Sequence, residues 1–260
     1  PITISDFSHK QINRSSMQST HLSPSTLLYE GKAKQLFLTD DPQVLWVRYK
    51  DDATAFNGQK FDRLCGKGVL NNLISAQIFE DLANFGVPSH FIDRVSDIEQ
   101  LVSRVEIIPL EVVVRNVVAG SLAKRIGWEE GRYLKQPIVE FYYKNDDLGD
   151  PLLTENHIDL LELATTQEIK ELREQALKIN DFLTKRFSKT DLQLVDFKLE
   201  FGRQPDRSLI LADEISPDTC RLWDRTTNEK MDKDRFRRNL GGLLEAYQEV
   251  WNRLHMVKDA

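Results

Sequence analysis

The sequence predicts an α+β fold arranged as two lobes. Three observations carry this reading. Short apolar runs separated by turn sequences dominate the N-terminal part. A long amphipathic helix with its own capping box occupies the second half. Hairpin signals outnumber β-α-β units, so strands and helices are segregated rather than alternating. The 260 residues exceed the allowance for one average domain and suit a single catalytic unit with a cleft.

The elements follow in order. Residues 1–25 are rich in Ser, Thr and Gln without a sustained period and read as a mobile tail. His9 and His21 lie there and read as solvated rather than as metal ligands. Leu36-Phe37-Leu38 and Val44-Leu45-Trp46-Val47 flank the turn sequence Thr39-Asp40-Asp41-Pro42, which predicts an antiparallel hairpin. Leu70, Leu73, Ile74, Ile78, Leu82 and Phe85 recur at helical spacing, and Gly86 and Pro88 end that helix. Residues 107–114 are apolar and β-branched, predicting one buried strand. Ser121 is placed to cap a short helix, 122–126, that stops at Gly127. Thr165 and Glu168 form a capping box ahead of Ile169, Leu172, Ala176, Ile179, Leu183 and Phe187, a helix ending near Ser188. Residues 192–201 and 209–211 are strands around a Pro205-Asp206 turn. Phe236, Leu240, Leu243, Tyr247, Val250 and Leu254 mark a final helix, weakened by Gly241-Gly242. The expected organisation is a tail, 1–25, a smaller lobe, 26–106, and a larger lobe, 107–260.

Composition removes several function classes. Lys plus Arg is 35 against 41 Asp plus Glu, a net charge of −6, which argues against binding nucleic acid by bulk electrostatics. The cysteines, Cys65 and Cys220, are too few for a disulfide framework or a cysteine-rich zinc module. Cys220 reads as a packed side chain, since no His is near it in sequence. No apolar run reaches the roughly 20 residues of a membrane span, and no signal-peptide core is present. The expectation is a cytoplasmic enzyme without membrane or nucleic-acid partners. H-E-x-x-H, G-x-S-x-G, the P-loop pattern and the Rossmann glycine fingerprint are all missing.

Four constellations carry chemistry. In Asp196-Phe197-Lys198-Leu199-Glu200-Phe201-Gly202, strand alternation puts Asp196, Lys198 and Glu200 on one face. A solvated charged face is the competing reading. A turn centred between Asp206 and Arg207 places Glu200 opposite Asp213 on the returning strand. Opposed carboxylates repel unless a cation sits between them, and Mg²⁺ shared with nucleotide phosphates is the usual case. Asp213 to Asp224 then forms a polar loop that includes Arg221, where an ordinary acidic surface is the alternative. Lys32 and Lys34, around Gly31, share one face of the first hairpin and can meet phosphates, or merely water. Arg115 ends a buried-looking strand just before Gly120 and Ser121, a group suited to an anion or to an ordinary cap. A further polar loop, Lys144-Asn145-Asp146, has low specificity alone.

The segments 107–121 (IIPLEVVVRNVVAGS) and 194–202 (LVDFKLEFG) resemble the two hallmark segments of the phosphoribosylaminoimidazole-succinocarboxamide synthase (SAICAR synthetase) family. Gly31-Lys32-Ala33-Lys34, Lys144-Asn145-Asp146, the stretch 213–224 and Met231-Asp232-Lys233-Asp234-Arg235-Phe236-Arg237 match it too, so the resemblance runs from about Leu27 to Leu254. It implies a two-lobed α+β fold related to ATP-grasp enzymes, antiparallel sheets with flanking helices, and ATP between the lobes. The implied reaction joins L-aspartate to the carboxylate of carboxyaminoimidazole ribotide (CAIR), using ATP and Mg²⁺ through an acyl phosphate. Carried over residue by residue, the resemblance gives Lys32, Lys34 and Lys144 to ATP phosphates, and Glu106 and Ile107 to the hinge near adenine. Glu200 and Asp213 go to Mg²⁺ and ATP. Arg115, Ser121 and Arg221 go to the ribotide, Asp196 and Lys198 to its reacting end as catalytic residues, and Arg235 to the site from the last helix. Asn57 stands where the family often has an acid. A homodimer is the expected assembly. A small-molecule kinase on the same scaffold and a silent nucleotide-binding protein are the alternatives. ADP release with CAIR alone marks the kinase, and binding without turnover marks the silent protein.

Overall fold

The structure, a computed structural model, describes residues 22–56 and 58–257. The expectations for residues 1–21, His9 and His21 among them, and for Asn57 lie outside the described residues. Strands β1 (Leu27–Glu30), β2 (Lys34–Leu38) and β3 (Val44–Tyr49) form an antiparallel meander that contains the predicted hairpin. Ser25 donates through N and Oγ to the Leu38 carbonyl, so the chain is already tied to β2 there. A separate hairpin, β4 (Asp52–Ala55) and β5 (Lys60–Arg63), precedes helix α1 (Lys67–Asn84). Strands β6 (Phe91–Arg94) and β7 (Glu99–Ser103) complete a sheet of order β1-β2-β3-β7-β6.

The second sheet begins at β8 (Glu106–Ile107) and β9 (Leu110–Val117). Where apolar composition predicts one strand there are two, because Pro109 has no N–H to continue a ladder. Helix α2 (Gly120–Ile126) leads to β10 (Tyr133–Tyr143), β11 (Leu152–Leu153) and the short α3 (Glu155–Leu160). Helix α4 (Thr166–Ser188) carries the expected capping box. Its Ile169, Leu172, Ala176, Ile179, Leu183 and Phe187 are all buried. Strands β12 (Leu192–Arg203), β13 (Leu209–Ala212) and β14 (Cys220–Asp224) follow. The order is β11-β10-β9-β12-β13, with β14 and β8 also paired to β12, and every pairing is antiparallel. The final helix divides into α5 (Asp234–Arg237) and α6 (Leu243–Met256), because Gly241 and Gly242 take φ of 70° and 62°, where no right-handed helix can run.

Strand β12 positions everything that matters. Its Phe197, Leu199 and Phe201 point into the main core against α4 and against Ile74, Ile78 and Leu82 of α1. Each such side chain stabilises the fold by about 1.5–3 kcal/mol. The smaller sheet has its own cluster, Leu45, Val47, Tyr49 and Val102. The two sheets are linked at His90, whose N donates to the Leu211 carbonyl at 2.8 Å. At Gly202, β12 is flanked by β8 and β13, and a Cβ there would overlap Cγ2 of Val105.

Gly202→Ala is therefore expected to destabilise the chain by about 1–3 kcal/mol in denaturant unfolding. Adding Val105→Ala should recover part of the loss; an additive further loss would show that crowding at Val105 is not the cause.

Candidate active site

Strands β9, β12 and β14 run side by side, and their register places Arg115, Asp196 and Arg221 directly opposite one another. Opposite charges at paired positions attract across the sheet. Arg115 Nη1 reaches Asp196 Oδ2 at 2.8 Å, and Arg221 Nη1 reaches the same oxygen at 3.0 Å. Arg115 is only 3% exposed, and its remaining donors meet Glu140 (2.7 Å), Ser121 Oγ (3.0 Å) and the Tyr142 hydroxyl (3.0 Å). Burial alone would disfavour this guanidinium, but Asp196 and Glu140 hold it charged. Ser121 is thus a partner of Arg115; the cap position belongs to Ala119, whose side chain caps nothing. Arg221 Nε pairs with Asp234 at 3.1 Å. Its guanidinium occupies the space that a Cβ on Gly120 would need, and Gly120 has φ +52°. Glycine there satisfies both the close approach and the left-handed backbone.

Two residues along β12, Lys198 Nζ lies 2.6 Å from Glu200 Oε1, 3.1 Å from Glu111 Oε1 and 3.6 Å from Asp213 Oδ2. Lys144 Nζ joins Glu200 at 3.0 Å. From the other sheet Lys34 pairs with Asp213 and, at 3.0 Å, with Glu214. Burial opposes the Lys198 charge, yet Glu200, Asp213 and Glu111 raise its pKa well above the usual lysine range. Burial likewise opposes ionisation of Asp213, but Lys34 and Lys198 hold its carboxyl below the usual carboxylate range.

The register differs by one residue from the expectation: Glu200 faces Ala212 rather than Asp213. Arg203 pairs with Leu209, so the loop spans 204–208 and centres on Asp206, with Arg207 at φ 70°. Asp213 leaves β13 at φ 62° and still meets Lys198, so Glu200 and Asp213 converge on one ammonium. Among the described residues no group of three or more His, Cys, Asp or Glu forms a metal cage. Two carboxylates around a point of positive charge do fit a hard divalent ion that draws its other oxygens from phosphate and water.

A cavity of about 220 Å³ opens over this face and brings together Arg115, Ser121, Asp196, Lys198 and Arg221 with Glu111, Tyr142, Asp218 and Arg237. Lys32 precedes β2, outside the strand face it was expected to share with Lys34, and pairs with Asp146 at 2.7 Å. Glu106 pairs at the surface with Arg203 and Arg207, and neighbouring Ile107 is 38% exposed. Arg235 is not brought to the cavity. The single turn of α5 points it at the carbonyls of Lys230 (2.5 Å) and Gly241 (3.2 Å), and Arg237 lines the cavity instead.

The SAICAR synthetase family model matches residues 27–254. The chain belongs to the SAICAR synthetase family. A curated relative, the phosphoribosylaminoimidazole-succinocarboxamide synthase of Anoxybacillus flavithermus (strain DSM 21510 / WK1), is 63% identical over 228 residues, covering 88% of this chain and 95% of that one. The crystal structure of phosphoribosylaminoimidazole-succinocarboxamide synthase from Ehrlichia chaffeensis superposes with a TM-score of 0.87 at 46% identity, over 90% of this chain and 100% of that one. A SAICAR synthetase solved in complex with ADP gives 0.86 at 48% identity, over 89% and 99%.

Some residues of the site are not announced by any motif in the sequence. Glu140 and Tyr142 sit on alternate positions of β10, a signal that strand periodicity could have offered. Lys67 and Asp218 are far apart in sequence, and only the packing of α1 on the 213–224 loop joins them, at 2.5 Å.

Asp196→Asn is expected to cost about 3–5 kcal/mol in denaturant unfolding, since it removes the carboxylate shared by two guanidiniums. A change below about 1 kcal/mol would show that Glu140 and Asp234 suffice for both arginines.

Proposed function

We propose that the chain joins L-aspartate to the carboxylate of CAIR, with ATP as phosphoryl donor, giving SAICAR, ADP and phosphate in purine biosynthesis. The observation that carries this is one strand face, Asp196, Lys198 and Glu200 of β12, that runs from a cavity lined by Arg115, Ser121 and Arg221 to the lysines gathered on Glu200 and Asp213. Arg115, Ser121 and Arg221 suit a phosphorylated ribotide, because forked guanidiniums and a hydroxyl match phosphate oxygens. Lys198, Lys144 and Lys34 gather on the adjoining carboxylates and suit a polyphosphate. Family membership, and the ADP-bound relative, support the assignment.

In this reading the CAIR carboxylate oxygen attacks the terminal phosphorus of ATP, and ADP leaves with the bond's electron pair. The aspartate amine then attacks the acyl carbon. A C–N bond forms as the C–O bond to phosphate breaks, and the nitrogen's protons pass to the departing phosphate and to water. No protein nucleophile is required. Lys198 is the catalytic cation, held charged beside the reacting oxygens. Asp196, bound at both oxygens by arginines, positions Arg115 and Arg221. Glu200 and Asp213 would hold Mg²⁺, which neutralises phosphate charge when bound. Lys32, Glu106 and Ile107 are assigned to the nucleotide side of the cleft between the two lobes. A cytoplasmic location and a homodimeric assembly complete the proposal, and sedimentation of the purified chain reads the latter.

Glu200→Gln and Asp213→Asn should each lower kcat by about 10²–10³-fold with the fold intact by circular dichroism. Near-normal turnover in both would remove the metal assignment. ADP release is expected only with CAIR and L-aspartate together; release with CAIR alone would make the chain a kinase.

A further inference from the structure

Asp213 leaves β13 in the left-handed region, at φ 62°, and a non-glycine residue held there is strained. The strain has a local result. In a regular strand neighbouring side chains point to opposite faces. Here the corner brings two successive acids to one ammonium. Lys34 Nζ donates to Asp213 and lies 3.0 Å from Glu214 Oε1.

The two acids differ in what else they can do. Asp213 also approaches Lys198, at 3.6 Å, and carries part of the metal assignment above. Glu214 is 3% exposed and does not line the cavity over β12. Its second oxygen accepts from the Ser216 hydroxyl at 2.6 Å, and Ser216 is as deeply buried. The next residue, Ile215, donates through N to Ser75 Oγ of α1 at 3.2 Å. Glu214 is thus a fixed acceptor of the larger lobe that bonds a lysine of the smaller one. The reaction gives it no contact with substrate, yet a buried ion pair adds little stability over apolar packing.

Lys34 faces a conflict that Glu214 resolves. Burial opposes its charge, and Asp213 and Glu214 together raise its pKa well above the usual lysine range. A divalent ion on Asp213 would take the oxygen that Lys34 uses and would repel the ammonium. Lysine is a point charge on a flexible stem, so with Asp213 as its sole partner it could swing away. The Tyr49 ring, its centroid 5.6 Å from Nζ, is buried and lends only weak attraction. We propose that Glu214 is a positioning residue, which holds the Lys34 ammonium at the nucleotide phosphates while Asp213 is engaged by Mg²⁺. This rests on the nucleotide and metal parts of the reading above. It explains why two successive acids are turned onto one lysine: one is given up to the metal and the other is not.

The test is Glu214→Gln in the full chain, which keeps a hydrogen-bonding group beside Ser216 and removes the charge partner of Lys34. ADP is the probe, its Kd measured by titration calorimetry with and without Mg²⁺. With Mg²⁺ the variant should bind ADP about 10-fold more weakly than the parent chain, the low end for a lost charge-assisted hydrogen bond. Without Mg²⁺ Asp213 still holds Lys34, and the two chains should agree within about twofold. In a Lys34→Met chain the same substitution should have less than about a twofold effect in either condition, because Glu214 acts through that lysine. Equal weakening with and without Mg²⁺, an undiminished effect beside Lys34→Met, or tighter binding overturns the proposal. Should Glu214→Gln fail to fold, Ser216→Ala carries the comparison: a smaller weakening confined to Mg²⁺ supports the role, and one indifferent to Mg²⁺ overturns it. A parent chain that binds ADP but releases none from ATP with CAIR and L-aspartate overturns the ligase reading alone. A parent chain that does not bind ADP overturns both.

Discussion

Two carboxyl groups and an ammonium on one face of a buried strand impose the constraint on which this structure depends. Asp196 and Glu200 are each only 3% exposed, and polar groups so buried need partners at hydrogen-bond distance to offset their lost hydration. Each neighbouring element answers that demand. Strands β9 and β14 bring Arg115 and Arg221 to the level of Asp196. Lys198 and Lys144 close on Glu200. The smaller sheet reaches across with Lys34 to Asp213, so the packing of the two sheets is itself part of the charge balance.

Such a network fixes geometry more than it adds stability. Buried pairs recover through attraction about what they lose in desolvation, but a half-satisfied network is worse than an apolar core. The apolar face of the same strand supplies the stabilisation: Phe197, Leu199 and Phe201 anchor β12 to α4 and α1. Strand alternation therefore divides the labour, with packing on one side and rigid charge on the other. For phosphoryl transfer that division is apt, because positioned cations do most of the catalytic work.

Much of this is legible in the sequence, for physical reasons. The charged face of β12 follows from period two, and α4 from its capping box and spacing of three and four. Helix α1 is visible only in part. Its buried Lys67, Asn71 and Asn72 break the amphipathic pattern because they serve tertiary partners. The hairpin register slips by one from the expected pairing because Arg207 takes a left-handed conformation that composition does not announce. Ser121 has the look of a cap, but its hydroxyl accepts from Arg115, a contact that exists only once β9 and α2 are packed. Arg235 and Arg237 are separable only by the orientation of a single helical turn. Local rules thus find the strands and the charges, while the assignment of each charge to its partner requires the fold.

One oxygen atom provides the direct measurement. CAIR carrying heavy oxygen in both positions of its carboxylate would be turned over with ATP and L-aspartate, and the released phosphate analysed by mass spectrometry. A β12 face that holds the carboxylate against the phosphoryl donor requires one labelled oxygen in each inorganic phosphate and one in the amide product. Unlabelled phosphate at full turnover would contradict activation through an acyl phosphate, and with it the catalytic role of Lys198 and of the carboxylates around it.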